Sequence, residues 1–276
     1  MKELTLKELQ EQSLGILIDV HEFCVSNGIK YSLAYGTLIG ALRHKGFIPW
    51  DDDIDIIMPR PDYDRFCALF SAPGRGLLRD TDKDSYIIFS RVYDTEKTCC
   101  WTMNPHSPHY KGGVWIDIFP SDCVSDEFES FAESVHQLRA LWKKQIRYRY
   151  AKADYSSILR TFPLKDIAIL SAIKFSGTAG WLIRKNNLAM RKISSQFPYG
   201  TTRHWSQMTV IDDSTRNYQD MDLFADPVDG PFAGHQVPAL SGYDTYLRHI
   251  YGDYMQLPPV EDRKPKQQRT HFYWKD

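Results

Sequence analysis

Long stretches with helical spacing of apolar residues alternate along this chain with short apolar runs. Leu6, Leu9, Leu14, Leu17, Val20, Phe23 and Cys24 fall on one face, and Asn27-Gly28 supplies a stop, so an opening helix is predicted. Tyr31 to Tyr35 reads as a strand. Gly36-Thr37 then begins a short helix to about His44, with Gly36 or Thr37 placed to cap it. From Asp53 to Met58 acidic and apolar residues alternate with period two, as in a half-buried strand; Pro59-Arg60-Pro61 ends it before a helix from Asp62 to Phe70. Tyr86 to Tyr93 and Thr98 to Met103 read as paired strands, and Val114 to Phe119 as a third after Gly112-Gly113. Helical patterning covers Asp126 to about Tyr150 and Ser156 to Ser194, with Gly177 and Gly180 as interruptions, and an aromatic-rich helix from Tyr243 to Tyr254 precedes Pro258-Pro259.

This order of elements predicts an α/β (α+β) fold, a mixed sheet flanked by helices with an inserted helical subdomain. The expected division is a catalytic core over 1–125, the helical subdomain over 126–200 and a C-terminal segment over 201–276 that completes the domain. With 276 residues, 42% hydrophobic and 25% charged, the composition is that of a globular protein and excludes a disordered or fibrous chain. Charge changes the picture more. The net value is -1, yet thirteen Lys or Arg face three acids between Glu133 and Lys192. The helical subdomain is therefore basic, either as a solvated face or as a surface for an anionic membrane. No nucleic-acid partner is expected. Five cysteines without a C-x-x-C pair give neither a disulfide framework nor a zinc knuckle, and the N-terminus lacks the apolar run of a signal peptide. A cytoplasmic protein is expected, peripheral at the inner face of a membrane if the basic helices bind lipid. The most apolar window, Phe162 to Ile183, is interrupted by Lys165, Asp166 and Lys174 and makes a poor membrane span.

The densest chemistry lies in Trp50-Asp51-Asp52-Asp53-Ile54-Asp55-Ile56-Ile57-Met58, where four acids occupy five positions. Such crowding is electrostatically costly unless a cation or protons offset it, so the segment is either a divalent-metal site or a solvated acidic turn. A calcium loop fits less well, because Ile56 stands where an EF-hand needs Gly and Asp62 where it needs Glu. Asp53 and Asp55 share one strand face while Ile54 and Ile56 point to the core. Asp117, between Ile116 and Ile118, is either a third metal carboxylate on a neighbouring strand or a locally bonded strand-end acid. Gly36-Thr37 either caps its helix or turns backbone N–H groups towards a phosphate. Arg43 and His44 either neutralise phosphate or complement the helix dipole.

Tyr35-Gly36-Thr37-Leu38-Ile39-Gly40-Ala41-Leu42-Arg43-His44, leading into Phe47-Ile48-Pro49-Trp50-Asp51-Asp52-Asp53-Ile54-Asp55, closely resembles the LicD family. Trp115-Ile116-Asp117-Ile118-Phe119-Pro120, Tyr246-Leu247 and Tyr251-Gly252-Asp253-Tyr254-Met255 with Pro258-Pro259 are similar to its further motifs, so the likeness spans most of the chain. The family is related to fukutin and fukutin-related protein. The resemblance implies a nucleotidyltransferase-type fold and transfer of a phosphorylated alcohol from a CDP-activated donor to a glycan hydroxyl. It matches Gly36 and Thr37 to the nucleotide loop, Asp53 and Asp55 to the paired metal carboxylates and Asp117 to the third, with Asp51 and Asp52 in support. Where family members often end in adjacent histidines, this chain has Arg263 to Arg269, rich in Lys and Gln, and only His271 nearby.

The mechanism implied is an in-line displacement assisted by magnesium, or manganese in its place. A hydroxyl of a cell-surface glycan or teichoic acid precursor, lipid-linked where the basic helices meet a membrane, attacks the distal phosphorus of CDP-choline and CMP leaves, with Asp117 placed to take the proton. CDP-ribitol or CDP-glycerol are alternative donors. For choline, Trp101, Trp115, Tyr243, Tyr251, Tyr254 and Trp274 are cage candidates, with core packing the plainer role. A glycosyltransferase using an Asp-x-Asp metal site and a non-catalytic scaffold are the competing functions.

Overall fold

The computed structural model describes residues 1–82, 85–102, 112–153, 155–211, 214–265 and 270–276. The predicted strand end at Met103 and part of the Lys- and Gln-rich tail, 266–269, lie outside them. The opening helix α1 (Leu6–Asn27) starts at a capping box: the Thr5 hydroxyl accepts from the Glu8 N–H, and the Glu8 carboxylate accepts from the Thr5 N–H. It ends at Gly28, whose φ of 57° is the left-handed conformation that glycine adopts without a Cβ penalty. Ile16, Leu17, Val20 and Cys24 carry its face into the main core.

The central sheet is mixed, as the sequence pattern predicts, and its strands lie in the order β1-β2-β6-β4-β3. Its strands are β1 (Ser32–Leu33), β2 (Asp55–Pro59), β3 (Arg75–Leu78), β4 (Ser90–Asp94) and β6 (Trp115–Val124). β2 runs parallel to β6 with Asp55 opposite Asp117, and β4 runs antiparallel to β6 with Arg91 opposite Asp117. The far end of β6 pairs with β7 (His204–Ser206), which pairs with β8 (Gln219–Asp220). The pairing expected between the strands at Tyr86–Tyr93 and Thr98–Met103 is not the one observed. β5 (Thr98–Thr102) pairs instead with β11 (Thr270–Trp274), while β4 is already flanked by β3 and β6.

Two helices lie between β1 and β3: α2 (Tyr35–His44), and α3 (Arg60–Leu69), which begins directly after β2 with Pro61 in its first turn. Residues 128–194 form α4 (Phe128–Tyr150), α5 (Tyr155–Thr161), α6 (Leu164–Ser176) and α7 (Ala179–Ser194). Gly177, at φ 69°, separates α6 from α7, whereas Gly180 lies within the first turn of α7. Ion pairs anchor α7 to the core: Arg191 reaches Asp80 at 2.8 Å and Asp64 at 2.5 Å. Nearby, Arg60 makes a buried two-pronged bond to Asp122 of β6 at 2.6 and 2.7 Å. The remaining elements are a hairpin, β9 (Val228–Phe232) and β10 (His235–Ala239), and the helix α8 (Tyr243–Tyr251). Among the described residues no single helix is long and apolar enough to cross a membrane.

Candidate active site

The helix predicted to be capped by Gly36 or Thr37 starts one residue earlier. Its N-cap is Ala34, which offers no side-chain cap, and Tyr35 opens the first turn at φ 47°, a strained conformation for a residue with a bulky side chain. The Tyr35 side chain is buried and its hydroxyl donates to Gln207 at 3.1 Å and Asn217 at 3.4 Å. Burial keeps this phenol neutral by raising its pKa well above the usual value.

With the start of α2 shifted, neither Gly36 nor Thr37 is the N-cap. A Cβ on Gly36 would stand 2.9 Å from Oδ2 of Asp51, so the glycine lets that carboxylate lie against the first turn of α2. A negative charge is favoured there by the N-terminal end of the helix dipole. Thr37, also buried, accepts the Asp55 N–H on its hydroxyl at 2.9 Å and so ties α2 to the first residue of β2. Gln10 of α1, which sequence reasoning missed, fixes the acidic loop by donating to the Asp51 carbonyl at 2.8 Å. Because Gln10 faces the site from a helix with an otherwise ordinary pattern, nothing local in the sequence marks it.

β2 begins at Asp55, so Asp53 belongs to the preceding loop and not to the predicted strand. In that loop the carboxylates of Asp51, Asp52 and Asp53 offer ligand oxygens that all lie within 4.8 Å of one another. Hard carboxylate oxygens at this spacing fit a magnesium or manganese ion. Of the predicted trio Asp53, Asp55 and Asp117, the last two are register partners across β2 and β6. Asp117 does sit beside Asp55 in the sheet, but both of its oxygens are held by Arg91, Nε at 2.6 Å and Nη2 at 3.1 Å. Arg91 is fixed in turn: its Nη1 donates to the Tyr86 hydroxyl at 2.8 Å, and its guanidinium lies 4.0 Å from the centre of the Trp115 ring. Asp117 is thus bound by an ion pair in the position where the sequence placed a metal ligand and proton acceptor. The register across β4 and β6, which puts Arg91 opposite Asp117, is the cause.

Two adjoining cavities open at this point. One, of about 340 Å³, has Asp51, Asp53 and Asp55 on its wall together with aromatic side chains of Tyr35, Phe89, Phe119 and Trp142. The other, of about 540 Å³, is lined in part by Arg43, Trp50, Tyr254 and Lys264. Gly36, Asp51 and Tyr251 belong to both and form the partition. Arg43 of α2 donates from Nη1 to the carbonyls of Tyr254 at 2.7 Å and Gln256 at 3.3 Å, and from Nε to Nε2 of His44 at 3.0 Å. It shapes the larger cavity by holding the loop after α8, and His44 serves as its partner. Burial, and then the adjacent Arg43, keep the His44 pKa below the ordinary imidazole value.

Of the six aromatic cage candidates, Tyr251 and Tyr254 line these cavities. Trp115 packs under Arg91 and against Phe272, Trp274 donates to Glu8 at 3.4 Å, Trp101 lies beside His271 on the β5–β11 ribbon, and Tyr243 packs on the main core. His271 itself pairs with Glu3 at 2.6 Å. Trp142, from the basic helix α4, and Phe89 were missed because neither stands near a motif.

The family model described as LicD/FKTN/FKRP, nucleotidyltransferase domain, matches residues 28–179, more than half of the chain, and the chain belongs to this family. Over 274 residues it is 31% identical to the lipopolysaccharide cholinephosphotransferase LicD of Haemophilus influenzae, covering 96% of this chain and 97% of that one. Shorter likenesses occur to an uncharacterized protein of Rickettsia typhi, 47% identical over 57 residues, and one of Rickettsia prowazekii, 54% over 41. These cover 20% and 15% of this chain, and 18% and 15% of those proteins. The protein is an enzyme of the transferase class.

Proposed function

We propose that the protein transfers phosphocholine from CDP-choline to a hydroxyl of a lipopolysaccharide glycan, releasing CMP, with magnesium as the metal. The observation that carries this reading is the pair of cavities separated by Gly36, Asp51 and Tyr251. The larger has a size and lining suited to a nucleotide, with the Trp50 and Tyr254 rings for a base and Arg43 and Lys264 for phosphate charge. The smaller combines aromatic faces with carboxylates, a lining that suits a quaternary ammonium better than the hydroxyls of ribitol or glycerol. The similarity to a cholinephosphotransferase along nearly the whole chain favours the same donor group and a lipid-linked acceptor.

In this reading Asp51, Asp52 and Asp53 hold the cation, which would offset charge on the diphosphate. Asp55, at the mouth of β2 and fixed through Thr37, lies on the wall where an acceptor hydroxyl would be oriented and its proton accepted. Arg91 keeps Asp117 in place behind Asp55 and so acts by positioning. The acceptor oxygen forms a bond to the distal phosphorus as the bond from that phosphorus to the CMP oxygen breaks.

The test is a screen of CDP-choline, CDP-ribitol, CDP-glycerol and sugar nucleotides with magnesium, reading CMP or nucleotide release against lipopolysaccharide acceptors. CDP-choline is expected to give the highest kcat/KM, Asp53→Asn and Asp55→Asn to reduce turnover at least a hundredfold, and Trp142→Ala to raise the KM for CDP-choline. Preferred use of a sugar nucleotide, or turnover by Asp53→Asn near the parent rate, would overturn the assignment.

A further inference from the structure

Helix α6 reverses the arrangement expected of a surface helix. Its buried side chain is Leu170, whereas Leu164, Ile169 and Phe175 are 85%, 59% and 82% exposed. Together with Ala168 and Ala172, also exposed, these residues recur at helical spacing and form one apolar stripe facing solvent. Past the bend at Gly177, where the axis turns by 106°, Trp181 in the first turn of α7 is 61% exposed as well. Among the described residues, seven of the seventeen exposed large hydrophobic side chains fall within 155–188, so the exposure is concentrated and not scattered.

Charge accompanies the stripe. Arg160, Lys165, Arg184 and Lys185 are exposed on the same three helices, and the Lys185 ammonium lies 5.1 Å from the Trp181 ring. Between Tyr155 and Lys192 the sequence has seven Lys or Arg and a single acid, Asp166, which pairs with Arg147 at 3.5 Å. Exposed apolar tips with bases around them are what an interfacial helix presents to an anionic lipid surface: the rings and aliphatic chains sink to the acyl boundary while cations stay among the headgroups. A second copy of the chain would bring the same positive charge against itself. Crossing the bilayer is excluded for α6 by length, because 13 residues rise only about 20 Å against a hydrocarbon core of about 30 Å.

We infer that the α5–α7 face docks on anionic phospholipid, with Leu164, Ile169, Phe175 and Trp181 inserted at the interface. The benefit of docking rests on the lipid-linked acceptor proposed above; the docking itself uses none of the residues assigned to the cavities.

Flotation of the full-length protein with vesicles of phosphatidylglycerol in phosphatidylcholine, against phosphatidylcholine alone, tests this. Binding to the anionic vesicles at low salt is expected, with little to the neutral ones. Phe175→Ser combined with Trp181→Ser should weaken it roughly tenfold or more through lost apolar burial, and Arg184→Gln with Lys185→Gln about fivefold per charge removed. No flotation of the parent protein overturns the inference, as does flotation indifferent to the Phe175 and Trp181 changes. A dimer by light scattering that those changes dissolve would assign the stripe to a second copy instead. Transfer to a water-soluble, delipidated acceptor separates the two proposals: it should be the same in the parent and the apolar variant. Absence of any CDP-alcohol turnover in the parent would sink the catalytic reading and leave the docking result standing.

Discussion

Gly36→Ala is the sharpest single perturbation of the site. The added methyl carbon would lie 2.9 Å from Asp51 Oδ2, and ordinary contact begins near 3.4 Å, so the carboxylate has to retreat by about 0.5 Å. Helix α2 itself gains from the change, because Ala is favoured over Gly by up to about 1 kcal/mol in a helix interior, somewhat less in a first turn. Asp51 stands in the partition between the two cavities and among three acids whose oxygens are within 4.8 Å. A displacement of that size at a positioning group costs roughly ten- to a hundredfold in rate. The expected result is a fall of that order in magnesium-dependent kcat/KM, a higher magnesium requirement and a melting temperature equal to or above the parent's. Activity within twofold of the parent would refute the claim that Asp51 must sit against α2. A melting temperature lowered by several degrees would show that the glycine serves packing instead.

Arg91→Met should destabilise the fold by about 3 kcal/mol in urea titrations, since it strands the largely buried Asp117 charge; adding Asp117→Asn should restore most of that stability without restoring turnover. Thr37→Val, which removes the acceptor for the Asp55 N–H, should cost about 1 kcal/mol and lower kcat more than it changes the donor KM, whereas Thr37→Ser should behave as the parent. His44 accepts from Arg43 only while its Nε2 is unprotonated. Its folded pKa lies below the ordinary 6.5, so folding favours the neutral ring: the contact is fully present above 6.5 and is lost as pH falls through the depressed value. The donor KM should therefore rise on acidification below 6.5, and His44→Gln should flatten that dependence.

Elements with long, consistent periodicity were legible in the sequence. The span of α1, its stop at Gly28 and the helical run broken at Gly177 follow from apolar spacing and glycine alone. The acidic segment was legible as chemistry, but the clustering of Asp51, Asp52 and Asp53 in one loop and the hold of Arg91 on Asp117 were not. Which acids meet depends on where β2 starts and on what faces Asp117 across β6, and both are fixed by pairings with residues tens of positions away. Arg91 carries no motif, so the ion pair that holds Asp117 had no local signal. The β9–β10 hairpin was overlooked for another reason: Pro231 and Pro238 argue against strands, and its two-residue turn is Ala233-Gly234, at φ 49° and 87°, and not the more usual Asn-Gly.

The smaller cavity is walled by the start of α2 and the acids Asp51, Asp53 and Asp55, by Phe89 and Phe119, by Trp142, and by Thr209 to Ile211 and Tyr251. The family-defining stretch ends at 179, so a polypeptide cut there would keep every acid and lose one side of the chamber. It would also lose β7, the partner of the far half of β6. Residues that name the enzyme are thus separable in sequence from those that enclose its substrate, and a fragment bearing the full signature would leave its carboxylates open to bulk water.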